Sequence, residues 1–257
     1  MSPAWAAVAM LALSVSACGG GNGHEGEPSL SASQVCAAAL DSSARTALQR
    51  MGDTDAFSEL PGVDDAGHPD KFSLKRAAGT LHADVTERNQ CDVFKSGDKT
   101  GHSLIEVDFS AVKDRPLGQG ASGGESTGTA FYPIGLYAKT NGRTSATLYF
   151  TCPTRAAGEA GHSTPYVRGY LYGAPDQMSP KATGRDLMVV LNSLSRGMAK
   201  QLGCASQAAL PAQVPKAQFV RRSGQNTGNA IRPPLVVAKA RLPSAARWTG
   251  NVWPRNW

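Results

Sequence analysis

The sequence predicts an α+β domain, in which helices cover mainly one face of an antiparallel sheet of about five strands. Two observations predict this class. Apolar residues recur at helical spacing in two early segments and one late segment, and they alternate with polar residues in the segments between them. The links between the alternating segments are short, which favours antiparallel over parallel pairing.

Three segments have the features of helices. Asp41 can cap a helix that runs through Leu48 to Met51 and stops at Gly52. Ser73 can cap a second helix, whose apolar positions are Leu74, Ala77, Ala78, Leu81 and Val85. Thr183 can begin a third and longer helix, whose apolar stripe is Leu187, Val190, Leu191, Leu194, Met198 and Leu202.

Alternation of polar and apolar residues predicts the strands, which are expected at residues 91–94, 105–109, 132–139, 146–152 and 166–172. Asn141-Gly142 is a strong signal for a hairpin between the third and fourth of them. The Gly- and Ser-rich residues 113–129 are expected to form a loop.

In the last three strands, the alternation assigns side chains to two faces of the sheet. The set that must face the core is Ile134, Leu136, Leu148, Phe150, Val167 and Leu171. The opposite set is Tyr137, Lys139, Thr147, Tyr149, Tyr166, Arg168, Tyr170 and Tyr172. Because tyrosine offers stacking area and a hydroxyl at low entropic cost, the five tyrosines with Arg168 form a candidate binding face. The alternative is that tyrosines suit strands and only stabilise the sheet through cross-strand pairs.

The N-terminal residues have the pattern of an export signal. Residues 4–15 form an uncharged apolar run of 12, whereas a membrane-spanning helix needs about 20 apolar residues. Val15-Ser16-Ala17-Cys18 and three glycines follow. This resembles the lipobox of bacterial lipoproteins, in which the cysteine receives a diacylglycerol and becomes the first mature residue. The resemblance implies a signal peptide at 1–17, lipidation of Cys18 and a flexible tether at 18–33. Met1-Ser2-Pro3 departs from the signal-peptide pattern, since it lacks the usual Lys or Arg, and a start further upstream would account for this departure.

Four cysteines remain in the expected mature chain after Cys18, and an even number in an exported protein favours disulfides. Three connectivities are open. We favour Cys36–Cys91 with Cys152–Cys204, because each pair would tie a helix-bearing segment to a strand of its own half. The spacings contain no close pair such as C-x2-C, so a zinc site is not expected.

Acidic and basic residues are distributed unevenly along the chain. The net charge is +6, but no Asp or Glu follows Asp186, so the excess of Lys and Arg belongs to the C-terminal part. We therefore expect a folded domain at 34–216 and a basic, disordered tail at 217–257. A nucleic-acid partner is not expected, because such a protein carries its basic patch on the folded surface.

No motif in the sequence is a convincing signal for a catalytic, metal or cofactor site. Gly120–Gly124 matches G-x-S-x-G around Ser122, but loop residues flank it where a hydrolase needs a strand and a helix. Asp64, Asp65, His68 and Asp70 share a loop that lacks the calcium-binding ligand pattern. We expect neither a catalytic site nor a metal or cofactor.

The layout as a whole resembles the secreted lipoproteins of high-GC Gram-positive (actinobacterial) bacteria, over about residues 10–215. The matching features are the lipobox with its glycine tether, Val35-Cys36-Ala37 before a helix, and Arg88-Asn89-Gln90-Cys91 at the start of a strand. The family has no agreed activity. The resemblance implies an envelope location and a small α+β domain, and it supplies no catalytic residues.

These observations favour a non-enzymatic binding or structural module, anchored through Cys18 to the outer face of the cytoplasmic membrane at the cell surface. Its expected partners are the membrane and an envelope glycan or protein. Two alternatives stay open, namely an envelope hydrolase with an unrecognised site and an accessory subunit of a membrane complex.

Lipidation can be tested by mass. We expect the native protein to begin at Cys18 with added acyl chains, and Cys18→Ser to move it from the detergent phase to the aqueous phase. Intact-mass spectrometry after phase partitioning measures both. An unmodified thiol in the native protein would contradict the lipid anchor.

Overall fold

An antiparallel sheet packed against helices forms the described part of the chain. The computed structural model describes residues 29–59, 62–63, 69–116, 128–156 and 163–218. Cys18, the expected signal peptide, Ser122, the loop residues 64–68 and the chain after residue 218 lie outside the described residues.

Nine strands lie in the described residues, and seven of them form the main sheet. They are β1 (Phe57–Glu59), β2 (Gly62–Val63), β3 (Pro69–Asp70), β4 (Cys91–Lys95), β5 (Ile105–Val112), β6 (Thr129–Phe131), β7 (Tyr137–Asn141), β8 (Ser145–Thr154) and β9 (Thr164–Gly173). The main sheet has the order β1-β4-β5-β9-β8-β7-β6 with every pair antiparallel, and β2 pairs separately with β3. The predicted class is therefore confirmed, with two more strands in the main sheet than the expected five.

The extra strands are short edge strands. β1 was not anticipated, and β6 begins at Thr129, the last residue of the expected loop. The predicted strand over 132–139 is wrong in its first half. Pro133 and Gly135, which has a φ of +58°, bend the chain between β6 and β7, so that β7 starts only at Tyr137.

The helices are α1 (Ser42–Gly52), α2 (Leu74–Gly79), α3 (Gly184–Gln201) and α4 (Ala205–Ala208), with short 3-10 turns at Cys36–Ala38 and Val85–Glu87. The predicted caps are present. Asp41 accepts a hydrogen bond from the Ala44 N–H, Ser73 accepts one from Arg76, and Thr183 forms a reciprocal capping box with Asp186.

The second helix is shorter than the apolar spacing predicts. It ends at Gly79, and the Thr80 N–H caps it by donating to the Arg76 carbonyl. Leu81 is buried, but Val85 is 61% exposed on the 3-10 turn beyond. The chain leaves the helix here because residues 80–90 cross to the other side of the sheet, as described below.

Helix α3 lies on the apolar face of the sheet, and α1 packs on α3. The stripe residues from Leu187 to Met198 are fully buried, as are Leu148, Phe150, Val167 and Leu171 from the strands. Glycine permits this close approach. A Cβ on Gly169 would lie 3.1 Å from Leu191 Cδ1 and 3.0 Å from the Phe109 ring.

Both favoured disulfides are present. Cys36 before α1 is bonded to Cys91 in β4, with 5.5 Å between the Cα atoms, and Cys152 in β8 is bonded to Cys204 after α3, with 5.4 Å. Each therefore ties a helix-bearing segment to a strand, as the sequence predicts.

Backbone pairing holds the two ends of the described chain. Leu30, within the expected tether, pairs with Phe57, and Gln218, within the expected tail, pairs with Phe131. Ala32 is buried. Among the described residues, no helix combines the length and apolar character that crossing a membrane requires.

The disulfide between Cys152 and Cys204 is expected to contribute substantially to stability. Removing both cysteines with Cys152→Ala and Cys204→Ala opens a loop of 52 residues, for which chain entropy gives about 4 kcal/mol. We expect urea denaturation to show a loss of about 2–4 kcal/mol in the free energy of unfolding. Equal unfolding free energies for the variant and the parent would contradict this role.

Candidate binding site

The six residues of the candidate binding face lie on one side of the sheet, opposite α3; we call this side the outward face. Strand register brings them together in rows. Tyr149 in β8 lies opposite Tyr137 in β7 and opposite Arg168 in β9. Tyr166, Tyr170 and Tyr172 share the face with Arg168 because residues two apart on a strand point the same way.

Two of these tyrosines pack against each other. The ring centroids of Tyr137 and Tyr149 are 6.0 Å apart, and Phe131 in β6 meets Tyr137 edge-on at 6.0 Å. This aromatic ladder crosses three strands at one end of the sheet. At Tyr137 and Tyr149, the structure therefore has the cross-strand packing of the alternative interpretation.

At the other end, the segment of residues 80–90 folds over the outward face, and three polar contacts fix its path. Asn89 accepts a hydrogen bond through Oδ1 from the Ser73 N–H at 2.9 Å and donates through its own N–H to Thr80 Oγ1 at 3.0 Å. Arg88 donates to the Ala83 carbonyl at 3.2 Å. The segment thus forms a fixed wall beside β5.

An ion pair joins this wall to the sheet. Arg88 Nη1 lies 2.9 Å from Asp108 Oδ2, and Arg168 Nη2 lies 3.9 Å from the same oxygen. Asp108 is on the outward face of β5 yet only 8% exposed, because the two arginines cover it. Arg168 also lies over the Tyr170 ring, at 5.9 Å from its centroid.

Wall and sheet enclose two adjoining cavities of about 260 and 360 Å³, which share Gln90, Glu106 and Tyr172; we call them together the sheet groove. The first is completed by Val85, Asp108, Arg168 and Tyr170. The second is completed by residues that include Asp92, Phe94, His102 and Asp176. Of the predicted face, Arg168, Tyr170 and Tyr172 line the groove, whereas Tyr137, Tyr149 and Tyr166 line neither cavity.

Three buried polar atoms at the sheet groove have no hydrogen-bond partner within the described residues. They are Asp108 Oδ1, Arg168 Nε and Asp92 Oδ1. Buried polar atoms in proteins are normally paired, and an unpaired one costs about 1–3 kcal/mol. Their concentration in one groove marks it as a place where a polar ligand would gain hydrogen bonds.

A pair of carboxyl groups forms the acidic end of the sheet groove. Asp92 in β4 lies opposite Glu106 in β5. Burial, and then the adjacent Glu106 charge, raise the pKa of Asp92 from 3.8 to about 6. Glu106 accepts a hydrogen bond from Ser103 Oγ at 2.6 Å. No Lys, Arg or His in the described chain forms an ion pair with either carboxylate.

An imidazole–carboxylate pair borders the same cavity. His102 Nδ1 lies 2.6 Å from Asp176 Oδ2, and this hydrogen bond raises the pKa of His102. Both side chains are more than half exposed. Ser103, the next residue, donates to Glu106 instead, so these groups do not form a nucleophilic triad.

The acidic half of the sheet groove is what the sequence analysis missed. Glu106 and Asp108 were recognised only as the polar positions of a half-buried strand. The topology makes them part of a site, since β9 pairs with β5 and places Tyr172 opposite Glu106 and Tyr170 opposite Asp108. The alternation signal was present, but the pairing of strands more than fifty residues apart was not predictable from it.

Within the described chain, one group of three side chains has the spacing of metal ligands, namely Cys36, Glu59 and Cys91. The two sulfurs are bonded to each other, so they offer no thiolates to a metal. Glu59 instead accepts a hydrogen bond from the Cys36 N–H, and burial raises its pKa.

Comparison of the chain with protein-family models, with curated proteins and with solved structures finds no match. The interpretation of the sheet groove therefore rests on its own residues and geometry.

Because the pKa of Asp92 is raised, we expect that replacing its carboxyl with an uncharged amide stabilises the folded chain, and that the size of this effect depends on pH. Above pH 6 the folded chain must ionise a carboxyl that prefers its proton, whereas below 3.8 the carboxyl is protonated in both the folded and unfolded states. We expect Asp92→Asn to raise the free energy of unfolding by about 1 kcal/mol at pH 8, after allowance for solvent screening, and to change nothing at pH 3.5.

Urea denaturation at both pH values measures the effect. The matched control is Asp84→Asn, which neutralises an exposed carboxylate that makes no capping hydrogen bond. An increase of the same size in the free energy of unfolding at both pH values, or no increase at pH 8, would show that the ionised Asp92 carboxylate does not destabilise the folded chain.

Proposed function

We propose that this protein is a non-enzymatic binding module of the cell envelope, held at the outer face of the cytoplasmic membrane by a lipid on Cys18, and that it binds its ligand in the sheet groove. The observation that carries the proposal is that Asp108 Oδ1 and Arg168 Nε are buried, have no hydrogen-bond partner among the described residues and belong to side chains that line a cavity with two tyrosines. Apolar and aromatic walls with a few placed polar groups are what a ligand site requires.

The wall and floor of the sheet groove support a preformed site. Ion pairing of Asp108 with Arg88 and the hydrogen bonds of Asn89 fix the wall, and regular strand pairing fixes Tyr170 and Tyr172 on the floor. A preformed site loses little conformational entropy when it binds. Val85 is 61% exposed at the rim, where an apolar side chain costs free energy until a ligand covers it.

The proposed location at the outer face of the membrane is supported by the sequence pattern at Cys18 and by the two disulfides. Disulfides persist in oxidising compartments outside the cytosol. An anchored module needs only moderate affinity, since many copies on one membrane bind an extended envelope polymer together.

A second candidate function is an envelope hydrolase that uses Asp92 and Glu106. The observation that favours it is a carboxyl whose pKa is raised to about 6 beside a second carboxylate, which is how acid–base pairs are arranged. The two candidates are separated by incubating the protein with envelope glycan and peptide fragments. Release of products that Glu106→Gln abolishes would favour the hydrolase.

The binding proposal predicts that residues of the sheet groove matter and other residues of the outward face do not. We expect the double variant Tyr170→Ala, Arg168→Ala to lose about tenfold or more of its retention on isolated cell envelopes while remaining folded. The matched control is Tyr166→Ala, on the same strand and face but outside the groove. Sedimentation with envelopes measures retention, and circular dichroism checks the fold.

Unchanged retention of the double variant would end the proposal for this groove. Equal losses for the double variant and for Tyr166→Ala would mean that the whole outward face, and not the groove, makes the contact.

A further inference from the structure

We infer that the ligand of the sheet groove is a saccharide with adjacent free hydroxyls, neutral or amino-substituted and without a carboxylate. The inference rests on the proposed binding function and names its ligand class. Three features of the groove support this inference. They are a hydrogen-bond donor beside an acceptor, two tyrosine rings, and a pair of carboxyl groups that has no ion-pair partner in the described chain.

The donor and the acceptor are held side by side. Arg168 Nε can only donate and Asp108 Oδ1 can only accept, and both are buried without a hydrogen-bond partner in the part of the chain that the structure describes. Their side chains are joined through Asp108 Oδ2, which is 3.9 Å from Arg168 Nη2. A hydroxyl donates and accepts, so two neighbouring sugar hydroxyls satisfy both atoms at once.

Charge favours hydroxyls over ionic groups at this point. The negative charge of Asp108 is already balanced by two arginines, since Arg88 lies 2.9 Å away and Arg168 also contacts it. An ammonium placed at Asp108 would meet two guanidinium groups, and a carboxylate placed at Arg168 would approach Glu106 across the cavity. A neutral hydrogen-bonding group avoids both repulsions.

Tyr170 and Tyr172 supply the apolar contact that a sugar ring needs. They are two residues apart on β9 and line the same cavity, and Tyr172 is 36% exposed. A sugar ring has one face of C–H groups and a rim of hydroxyls. Stacking that face on a tyrosine buries apolar area while the rim meets the polar atoms of Asp108 and Arg168.

The acidic end sets the charge that the saccharide carries. Asp92 and Glu106 face each other without a cation partner in the described chain, and Asp92 Oδ1 is buried and has no hydrogen-bond partner among the described residues. An amino group on the sugar would donate to this oxygen and neutralise the pair, whereas a sugar carboxylate would be repelled. With adjoining cavities of about 260 and 360 Å³, the groove has the size of a small-molecule site.

Calorimetric titration of the full-length protein with three short oligosaccharides tests the inference. The probes are cellotetraose, which is neutral and has adjacent free hydroxyls on each ring, its 2-amino analogue tetraglucosamine, which is cationic, and tetragalacturonate, which is anionic. We expect the first two to bind and the third to fail at pH 6. Neutralising the acidic end with Asp92→Asn and Glu106→Gln is expected to raise the affinity for tetragalacturonate.

Two variants test the contacts. Asp108→Asn is expected to weaken cellotetraose binding by about tenfold or more, because a neutral amide oxygen accepts a hydrogen bond less strongly than a carboxylate oxygen does. Since that change also breaks the ion pair with Arg88, Tyr172→Ala provides a second variant that leaves the pair intact, and a similar loss is expected. Thermal melting checks that each variant is folded.

The outcomes separate this inference from the proposed function. If none of the probes binds, and if envelopes stripped of glycan retain the protein in a Tyr170-dependent manner, the groove binds a ligand that is not a saccharide and the inference is overturned alone. If cellotetraose binds folded Tyr172→Ala as it binds the parent protein, the assignment to this groove is overturned. If envelope retention never depends on Tyr170, the proposed function fails with it.

Discussion

The ion pair between Arg88 and Asp108 determines the form of the outward face. Asp108 projects from the middle of the sheet toward solvent, where an uncovered carboxylate would need no partner. Arg88 instead brings residues 80–90 over β5 and buries the carboxylate to 8% exposure. Buried ion pairs contribute little net stability, because desolvation offsets their attraction, although removing one partner costs about 3–5 kcal/mol. The consequence of this pair is therefore geometric. It converts a flat sheet face into a groove and fixes Arg168 beside it.

The opposite face of the sheet is covered by helix α3. Helix α3 approaches the sheet so closely that a Cβ on Gly173 would lie 3.3 Å from Leu187 Cδ2 and one on Gly169 would lie 3.1 Å from Leu191 Cδ1. The apolar stripe of α3 and the inward residues of β8 and β9 are buried against each other. A sheet covered on one side keeps polar residues on the other, and an antiparallel sheet tolerates that arrangement. The strand residues that line the sheet groove lie on the outward positions of β4, β5 and β9.

Local signals in the sequence were sufficient for the class, the three helix caps, both disulfides and the two faces of β8 and β9. They were insufficient where tertiary contacts decide. The apolar spacing from Leu74 to Val85 predicts one helix, but Thr80 caps it and the polar contacts of Arg88 and Asn89 direct the chain across the sheet. Likewise, the tyrosines were placed on one face correctly, yet only the strand order shows that Tyr170 and Tyr172 stand beside acids of β5 while Tyr137 and Tyr149 form an aromatic ladder.

The central claim is that the sheet groove, and no other part of the outward face, is covered when the protein meets its envelope ligand. Hydroxyl-radical footprinting of the purified protein, with and without isolated envelope material, tests it most directly because it reports the exposure of each tyrosine separately. The account predicts slower oxidation of Tyr170 and Tyr172 in the presence of envelope, with Tyr166 oxidised at an unchanged rate. Unchanged oxidation of Tyr170 and Tyr172, under conditions in which the protein is retained on envelopes, would contradict it.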